Sequence, residues 1–139
     1  MRYYDIDPTQ VRLLGTALWD DVALAAEPAL IGGWFAAPAP EQWKSFAQRY
    51  RALYGGEPPR IASLAYDATA LVAVLGRAEG GAGFGPEALT NPSGFAGVDG
   101  VFRFTPDGKV ERGLAVYEMQ SGGPVVIDPA PASFEPAIF

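Results

Sequence analysis

The chain has 139 residues, 49% of them hydrophobic, and its 16 acidic and 10 basic residues give a net charge of −6 at pH 7. This length suits one globular domain with a buried core, and the charge excludes a nucleic-acid partner because phosphates would be repelled. The sequence contains no cysteine and no histidine, which removes disulfides, thiolate chemistry and the commonest metal ligands. These absences exclude most familiar active sites, and the function that we favour has no catalytic residue, no metal site and no cofactor.

One long apolar stretch, RIASLAYDATALVAVLGRA at residues 60–78, raises the question of a membrane span. Asp67 lies near its middle, and Arg60 and Arg77 lie near its ends. Charges at these positions would be costly in a bilayer, so we predict that the chain does not span a membrane. The N-terminal sequence MRYYDIDPTQ has no apolar segment typical of a signal peptide, so an export signal has either been removed or was never in this chain.

Residues 11–40 are predicted to contain two strands and a short helix. VRLLGTALW is a short apolar run typical of a buried strand that breaks into a loop near Gly15. DDVALAAEP follows, with Asp20 or Asp21 as the N-cap of a short helix and Pro28 as its stop. ALIGGWFAAPAP is then predicted to be the second strand, closed by its prolines.

Two helices are predicted in residues 41–78. In residues 41–54 the apolar side chains recur at steps of three and four, as in an amphipathic helix; they are Trp43, Phe46, Ala47, Tyr50, Leu53 and Tyr54. Pro40 before this segment and Gly55 after it match the usual boundaries of helices. Residues 61–77 form the second predicted helix, which is apolar on nearly every side and should therefore be covered all round.

The last third of the chain is predicted to be a connector, closing strands and an extended tail. Residues 79–94 are rich in Gly and Pro, with one helical turn at 86–89, and lack the Lys-Ser/Thr pair of a phosphate-binding loop. GVFRFTPDGKVERGLAVYEM favours a hairpin that turns at Pro106, Asp107 and Gly108. Beyond Ile127 the prolines of the tail favour an extended chain on the surface.

In this order the segments resemble a known family. The matching motifs are VRLLGTALWDD, LIGGWFAAPAP, FAQRYRALYGGEPPRIASLAYDATALV and GFAGVDGVFRFTPDGKVERGLAVYEM. Together, over about residues 11–120, they resemble the C-terminal part of type I periplasmic binding proteins, in the branch of branched-chain amino-acid-binding proteins and penicillin-binding-protein activators. The resemblance implies an α/β fold: a partial lobe of that kind with two packed helices and a C-terminal β-hairpin.

The resemblance also implies a division of the chain. Residues 1–139 would be a single C-terminal fragment of a two-lobed binding-protein-like module. Within it, residues 11–40 would be a strand and the crossover between lobes, 41–78 the helix pair, 94–128 the closing strands and 129–139 the extended tail.

Five residues are candidate ligand-binding residues. The resemblance implies that Tyr66 and Asp67 lie at a helix start facing the cleft between lobes, where a phenol and a carboxylate could hold a polar ligand. Alternatively, Asp67 is retained because a carboxylate in the first turns of a helix meets the positive end of its dipole. Trp19 and Trp34 are either core residues at strand ends or cleft lining. Asp20 is either a helix cap or a ligand-binding residue.

One departure from the family bears on the ligand. In its amino-acid binders an acidic residue, two positions after the glycine that ends the lobe 2 strand, pairs with the ligand's ammonium group. Here Gly15 is followed by Thr16 and then Ala17. Free amino acids are therefore doubtful ligands, which leaves peptides, small carboxylates, aromatic compounds or no small ligand.

Three functions remain open at this point. The first is a non-catalytic, periplasmic solute-binding-like module that binds a small polar ligand for uptake or sensing. The second is an envelope protein-interaction module that resembles the penicillin-binding-protein activators and takes no small ligand. The third is an enzyme that uses a carboxylate pair such as Asp20 and Asp67. Since the family's proteins are well over twice as long, we also expect copies of this chain to form a homo-oligomer.

Overall fold

The computed structural model describes residues 11–77 and 83–134, and these residues form an α/β fold, as predicted. The helices are α1 (Val22–Ala25), α2 (Pro40–Tyr54), α3 (Ala62–Leu75) and α4 (Pro86–Leu89). The strands are β1 (Leu14–Gly15), β2 (Trp34–Ala37), β3 (Phe95–Gly97), β4 (Gly100–Phe104), β5 (Val110–Arg112), β6 (Ala115–Gln120) and β7 (Gly123–Asp128). The described residues divide into two compact units.

The first unit, residues 11–38 with Leu114–Ala130, is built on a four-stranded sheet. The strand order is β1-β2-β6-β7, with β1 parallel to β2 and the other pairs antiparallel. Alternate residues of β2 and β6 point to one face, as the two-residue period of a strand requires. Those residues form the apolar core of this unit: Phe35, Ala37, Ala115, Tyr117 and Met119.

The first predicted strand is shorter and more exposed than expected. The strand β1 has only two residues, and the side chain of Leu14 is 76% exposed. Its register pairs Leu14 with Trp34, so this short strand lies at an edge of the sheet. The prediction of a buried strand in the segment VRLLGTALW is therefore wrong, because only one side of β1 has a neighbouring strand.

Helix α1 is capped by Asp21 and not by Asp20. An Asp21 carboxylate oxygen accepts a hydrogen bond from the backbone N–H of Ala23 at 2.7 Å, which satisfies one of the free donors at the helix start. Asp20 is exposed and follows a 3₁₀ turn at Ala17–Trp19. Pro28 begins a second 3₁₀ turn, at Pro28–Leu30, after the end of α1.

The second unit contains the remaining described residues, with α2, α3, α4 and a three-stranded antiparallel sheet of order β3-β4-β5. The predicted helix pair is confirmed. Gly55 ends α2 in the left-handed conformation at φ 74°, as the sequence boundary indicated. The rings of Phe46 in α2 and Tyr66 in α3 contact each other with centroids 5.2 Å apart.

Two expectations about α3 are wrong. The helix begins at Ala62, so Asp67 is its sixth residue. It lies beyond the first turn, and the first turn is the part of a helix in which the dipole acts most strongly on a carboxylate. The helix is also not covered on all sides by residues 11–77 and 83–134. Its buried side chains are Ser63, Asp67 and Leu75, which repeat at multiples of four and lie along one side.

The predicted hairpin exists, but its second half contains two strands. Strands β4 and β5 are joined by a turn in which Gly108 has φ 81°, as the Pro-Asp-Gly sequence predicted. After Gly113 the chain enters β6, which pairs with β2 and β7 in the other sheet. The predicted helical turn at 86–89 is present as α4. Residues 1–10, 78–82 and 135–139, with parts of the predicted connector and tail, lie outside the described residues.

Within residues 11–77 and 83–134 no helix is both long and apolar enough to cross a membrane. The longest helix, α2, has 15 residues and carries charged side chains, whereas a span needs about 20 apolar residues.

Candidate ligand-binding site

The second unit contains an open pocket of about 390 Å³ between α2, α3 and β3. Pockets that bind small molecules have volumes of about 300 to 1,000 Å³, so this pocket lies near the lower end of that range. Two of the predicted residues, Tyr66 and Asp67, lie side by side in its wall. The complete lining is Glu41, Gln42, Ser45, Arg49, Tyr66, Asp67, Ala70, Ala96, Gly97 and Val98.

Asp67 joins α3 to the end of β3. Its side chain is almost fully buried, and Oδ1 accepts a hydrogen bond from the backbone N–H of Val98 at 2.8 Å. Its Oδ2 lies 4.0 Å from Nη1 of Arg112, and neither atom has a hydrogen-bond partner among the described residues. A carboxylate bonded in this way fixes the backbone of Gly97 and Val98 where they line the pocket.

Gly97 is required by its closeness to Asp67. A Cβ atom added at residue 97 would overlap the carboxylate of Asp67, so a side chain there would push α3 and β3 apart. The glycine therefore has a packing role. It also lets the backbone of β3 form one wall of the pocket.

A second buried acid also connects α3 to the residues between β3 and β4, but this acid belongs to those residues and not to the helix. Asp99 is 5% exposed and accepts hydrogen bonds from Nη1 of Arg60 and from Oγ of Ser63, both at 2.6 Å. The guanidinium of Arg60 also lies 4.2 Å from the centroid of the Trp43 ring. Asp67 lies in α3 and accepts a hydrogen bond from the residues joining β3 to β4, whereas Asp99 lies among those residues and accepts one from α3. We call these two connections the crossed links.

Tyr66 supplies the aromatic wall of the pocket. Its side chain is 45% exposed, and one side of the ring contacts Phe46. The guanidinium of Arg49 lies 5.8 Å from the ring centroid, and in the described part of the chain Arg49 makes no ion pair. The pocket therefore combines an aromatic surface with an uncommitted positive charge.

Sequence analysis missed the contribution of α2 to the pocket. Glu41, Ser45 and Arg49 are spaced four residues apart, so they form one polar row along the helix, and Gln42 lies beside it. This row was visible in the sequence as the polar side of an amphipathic helix. Such a side usually faces only water, and nothing in the sequence showed that this one faces Tyr66 and Asp67.

Trp19 lies in the first unit, against its core. The ring centroid is 6.2 Å from that of Phe35. Cβ atoms at Gly15 and Gly33 would overlap the Trp19 ring, so both glycines make room for it. These contacts match the interpretation of Trp19 as a core residue.

Trp34 also lies in the first unit, and its polar atom is already bonded. The indole Nε1 donates a hydrogen bond to Oε2 of Glu118 at 3.0 Å, and the guanidinium of Arg12 lies 4.2 Å from the ring centroid. This indole hydrogen bond, with smaller contributions from Gln120 and Arg12, lowers the pKa of Glu118 below its usual value. Trp34 therefore belongs to a surface cluster with Arg12 and Glu118.

The five predicted residues thus fall into two sets. Tyr66 and Asp67 line one pocket of the second unit, whereas Trp19, Trp34 and Asp20 belong to the first unit. Among residues 11–77 and 83–134, no group of three or more acidic side chains is arranged to hold a metal ion.

No protein-family model matches the chain, and no curated protein matches it at a significant level. Solved structures do match it. One is a protein of Rhodospirillum rubrum described as a branched-chain amino acid ABC transporter, with a TM-score of 0.64 and 26% identity over 84% of this chain and 37% of that chain. Another is an ABC transporter substrate-binding protein of Desulfitobacterium hafniense, with a TM-score of 0.58 and 22% identity over 91% and 38% of the two chains.

A third match is LivJ of Streptococcus pneumoniae, a branched-chain amino acid transporter substrate-binding protein whose structure contains isoleucine. The TM-score is 0.52, with 24% identity over 94% of this chain and 39% of that chain. The chain therefore spans less than two fifths of the length of these proteins. As the motifs predicted, the fold of this chain is similar to that of part of these ABC transporter proteins.

Proposed function

We propose that the chain is a non-catalytic solute-binding module of the periplasm, and that the pocket beside Tyr66 and Asp67 takes a small polar ligand for uptake or sensing. The observation that carries the proposal is the pocket itself. Both residues predicted from the AYDA motif line it, together with a polar row from α2. The likeness to substrate-binding proteins supports the same class of function.

The chemistry of the pocket favours a small carboxylate with an apolar or aromatic body. Arg49 would form paired hydrogen bonds with the carboxylate, since a guanidinium matches its geometry. Tyr66 would contact the apolar body of the ligand through the exposed side of its ring. Asp67 would act indirectly, because its bond to Val98 holds the backbone wall of the pocket in place.

The alternative function is an envelope protein-interaction module without a small ligand, resembling the penicillin-binding-protein activators. One observation favours it. Helix α3 exposes large apolar side chains, among them Leu64 and Val72, and exposed apolar surface of this kind marks protein contacts. In this alternative the pocket would stay empty.

Titration of the ¹⁵N-labelled chain with benzoate, followed by NMR, tests the proposal. Benzoate carries the carboxylate and the aromatic body that the pocket suits. Since Glu41, Gln42, Ser45 and Arg49 are all exposed, the ligand would keep part of its hydration, and we expect a dissociation constant in the millimolar range, worth about 4 kcal/mol. Shift changes should be confined to the residues that line the pocket.

Two tyrosine variants provide the control. Tyr66→Ala should weaken benzoate binding about fivefold, the loss of a modest aromatic contact. Tyr54→Ala, at an exposed tyrosine of α2 outside the pocket, should leave it unchanged. Shift changes spread evenly over the chain, or an equal loss in both variants, would count against the proposed site.

Calorimetric titration with leucine and a small amino-acid panel tests the expectation drawn from Ala17. The unmodified chain should show no micromolar binding, and Ala17→Glu alone should not create it. Restoring one carboxylate adds a net of only about 1.5 to 3 kcal/mol, as for a hydrogen bond to a charged group, which is far below the roughly 8 kcal/mol of a micromolar complex. A micromolar isotherm for the unmodified chain would show that Ala17 does not replace the family's acid.

A further inference from the structure

One face of the three-stranded sheet β3-β4-β5 is covered by the tail of the chain. Phe102, in the middle of β4, is buried. Its neighbours Val101 and Arg103 point to the opposite face, because side chains alternate along a strand. On that side the second unit contacts residues 131–134 of the tail, which belong to the same unit. We call the contacted surface the tail groove; it consists of Gly94, Val101, Arg103 and Gly113.

The first part of the tail groove is a notch that receives Pro131. A Cβ atom added at Gly113 would lie 2.7 Å from Cγ of Pro131 and 2.8 Å from Cγ2 of Val101. The absence of a side chain at Gly113 therefore leaves room for the proline ring. The backbone N–H of Gly113 donates a hydrogen bond to the carbonyl of Val101 at 2.8 Å, which fixes the notch at the end of β4 and β5.

The second part is a notch at Gly94 that receives Phe134. A Cβ atom added at Gly94 would lie 2.8 Å from Cδ2 of the Phe134 ring. The guanidinium of Arg103 also meets this ring, with its Cζ atom 4.5 Å from the ring centroid. The aromatic side chain therefore contacts a glycine and a cation, and the latter contact is favourable.

Arg103 is held in position by partners outside the tail. Its Nε donates a hydrogen bond to Oε2 of Glu111 at 2.6 Å, and its Nη1 donates one to the carbonyl of Pro92 at 3.2 Å. The position of the guanidinium therefore does not depend on Phe134. A ring that enters the notch meets a side chain that is already ordered, which lowers the cost of binding.

The contact depends on two rings that are three positions apart in the chain. Among the described residues, no hydrogen bond joins residues 131–134 to the tail groove. Ala132 and Ser133, between the two rings, are exposed. Recognition therefore requires a proline, a phenylalanine and the spacing between them, and it tolerates different side chains at position 133.

The tail carries this pattern twice. Residues 131–134 are PASF, and residues 136–139 are PAIF. The two copies differ only at their third position, where the side chain of the first copy, Ser133, is exposed. The second copy thus has both of the rings that the tail groove receives.

We propose that the tail groove is a binding site for Pro-Ala-x-Phe segments, and that residues 136–139 can replace residues 131–134 in it. Pro136 would then enter the notch at Gly113, and Phe139 the notch at Gly94. Both copies fill the same two notches, so the two states should be close in free energy and both should be populated. The tail groove shares no residue with the pocket beside Tyr66, so this proposal does not rest on the proposed function.

The exchange would change the length of the connecting chain. Ala130 is the last residue of the first unit, and the second copy begins five residues after the first. With the second copy bound, the chain between Ala130 and the tail groove would be longer by about 17 Å when extended. The groove and its two ligand segments are therefore a device that gives this connection two lengths.

The Nε–H resonance of Arg103 in the ¹⁵N-labelled chain tests the proposal by NMR, because a ring stacked on the guanidinium shifts it upfield. In Phe134→Ala the resonance should stay upfield, since Phe139 takes the place of the lost ring, and in Phe139→Ala it should also stay. In the double variant Phe134→Ala/Phe139→Ala it should move downfield. The matched control is Phe134→Ala/Phe84→Ala, which removes an exposed phenylalanine outside the groove and should behave like Phe134→Ala alone.

Synthetic peptides test the same site from outside the chain. Acetyl-PASF-amide and acetyl-PAIF-amide, added to the double variant, should each return the Arg103 resonance upfield. Because only two side chains make the contact, we expect dissociation constants in the millimolar range that agree within about threefold. Acetyl-PASA-amide, which lacks the phenylalanine, should leave the resonance unchanged.

Two results would overturn the proposal. One is an Arg103 resonance that moves as far downfield in Phe134→Ala as in the double variant, because the second copy would then not enter the groove. The other is a double variant whose helices are intact by circular dichroism and that binds neither peptide.

Titration of Phe134→Ala with acetyl-PASF-amide decides the question even where the double variant does not fold. A groove already occupied by residues 136–139 leaves the Arg103 resonance where it is. An upfield movement on saturation would show that the groove had been empty, against the proposal.

Discussion

The interiors of the two units differ in chemistry. In the first unit the most enclosed side chains are apolar and belong to two paired strands, with Phe35 and Met119 at the centre. In the second unit three of the buried side chains are polar: Ser63 at 0% exposure, and Asp67 and Asp99 at 5% each. The first interior is set by strand alternation, whereas the second combines buried apolar side chains with hydrogen bonds between α3 and the β3–β4 turn.

This difference has consequences for mutation. An apolar core tolerates changes that keep its volume, because its contacts are non-directional. A buried acid tolerates almost none, because its partners need a charge at one place. The first unit should therefore respond to lost volume, and the second to a lost carboxylate.

The largest expected effect is at the centre of the first unit. Phe35→Ala should lower the free energy of unfolding by about 4 kcal/mol, since the ring stacks on Tyr117 at 5.1 Å between centroids and also contacts Trp19. Urea unfolding at pH 7 measures the loss. Val125→Ala, at an exposed position of β7, should cost well under 1 kcal/mol. Similar losses in the two variants would mean that the alternation of β2 and β6 does not define the core.

The next effect should come from Asp67. Asp67→Ala leaves the buried N–H of Val98 without its acceptor and the guanidinium of Arg112 without its nearest carboxylate. We expect a loss of about 3 kcal/mol in the free energy of unfolding at pH 7, measured with urea.

Asp20→Ala is the control for this variant, because Asp20 is an exposed aspartate of the first unit. It should change stability by no more than about 0.5 kcal/mol. If Asp67→Ala costs as little as Asp20→Ala, the crossed links do not hold the second unit together.

The smallest effect should appear in the acid dependence of the first unit. The indole hydrogen bond of Trp34 lowers the pKa of Glu118 below its usual value of 4.5. A group whose pKa is lowered by folding binds fewer protons when folded than when unfolded. Its contribution to stability is therefore present above pH 4.5 and is lost as the pH falls through the folded pKa.

Trp34→Phe keeps the aromatic ring but removes the indole N–H. Stability should then fall less steeply on acidification below the usual pKa of Glu118 than it does in the unmodified chain. Trp19→Phe, with no carboxylate partner among the described residues, should leave that slope unchanged. Urea unfolding at a series of acidic pH values measures all three slopes, and identical slopes would contradict the role of Trp34.

Sequence reasoning succeeded where the signal was local. The spacing of Trp43, Phe46 and Tyr50, with Pro40 and Gly55 at the boundaries, predicted α2 almost to the residue. It was wrong about β1, because a two-residue edge strand has no periodicity to read. It also chose Asp20 and Asp21 as equal candidates for the cap of α1, since only the backbone geometry distinguishes adjacent residues of the same type.

The candidate site was predicted only in part. Tyr66 and Asp67 were identified from a motif and do line a pocket. Arg49 and Ser45 were not identified, because the polar side of an amphipathic helix has the same sequence pattern whether it faces water or a pocket. The tertiary contact between α2 and α3 makes the difference.

The sequence by itself determined the α/β class of the fold, its two long helices and the motifs that resemble those of substrate-binding proteins. These depend on composition, on short-range periodicity and on boundary residues, which act over a few positions of the chain. Tertiary structure alone decided what Asp67 does. Its partner Val98 lies 31 residues away, and a buried carboxylate is stabilised by the donors that folding brings to it.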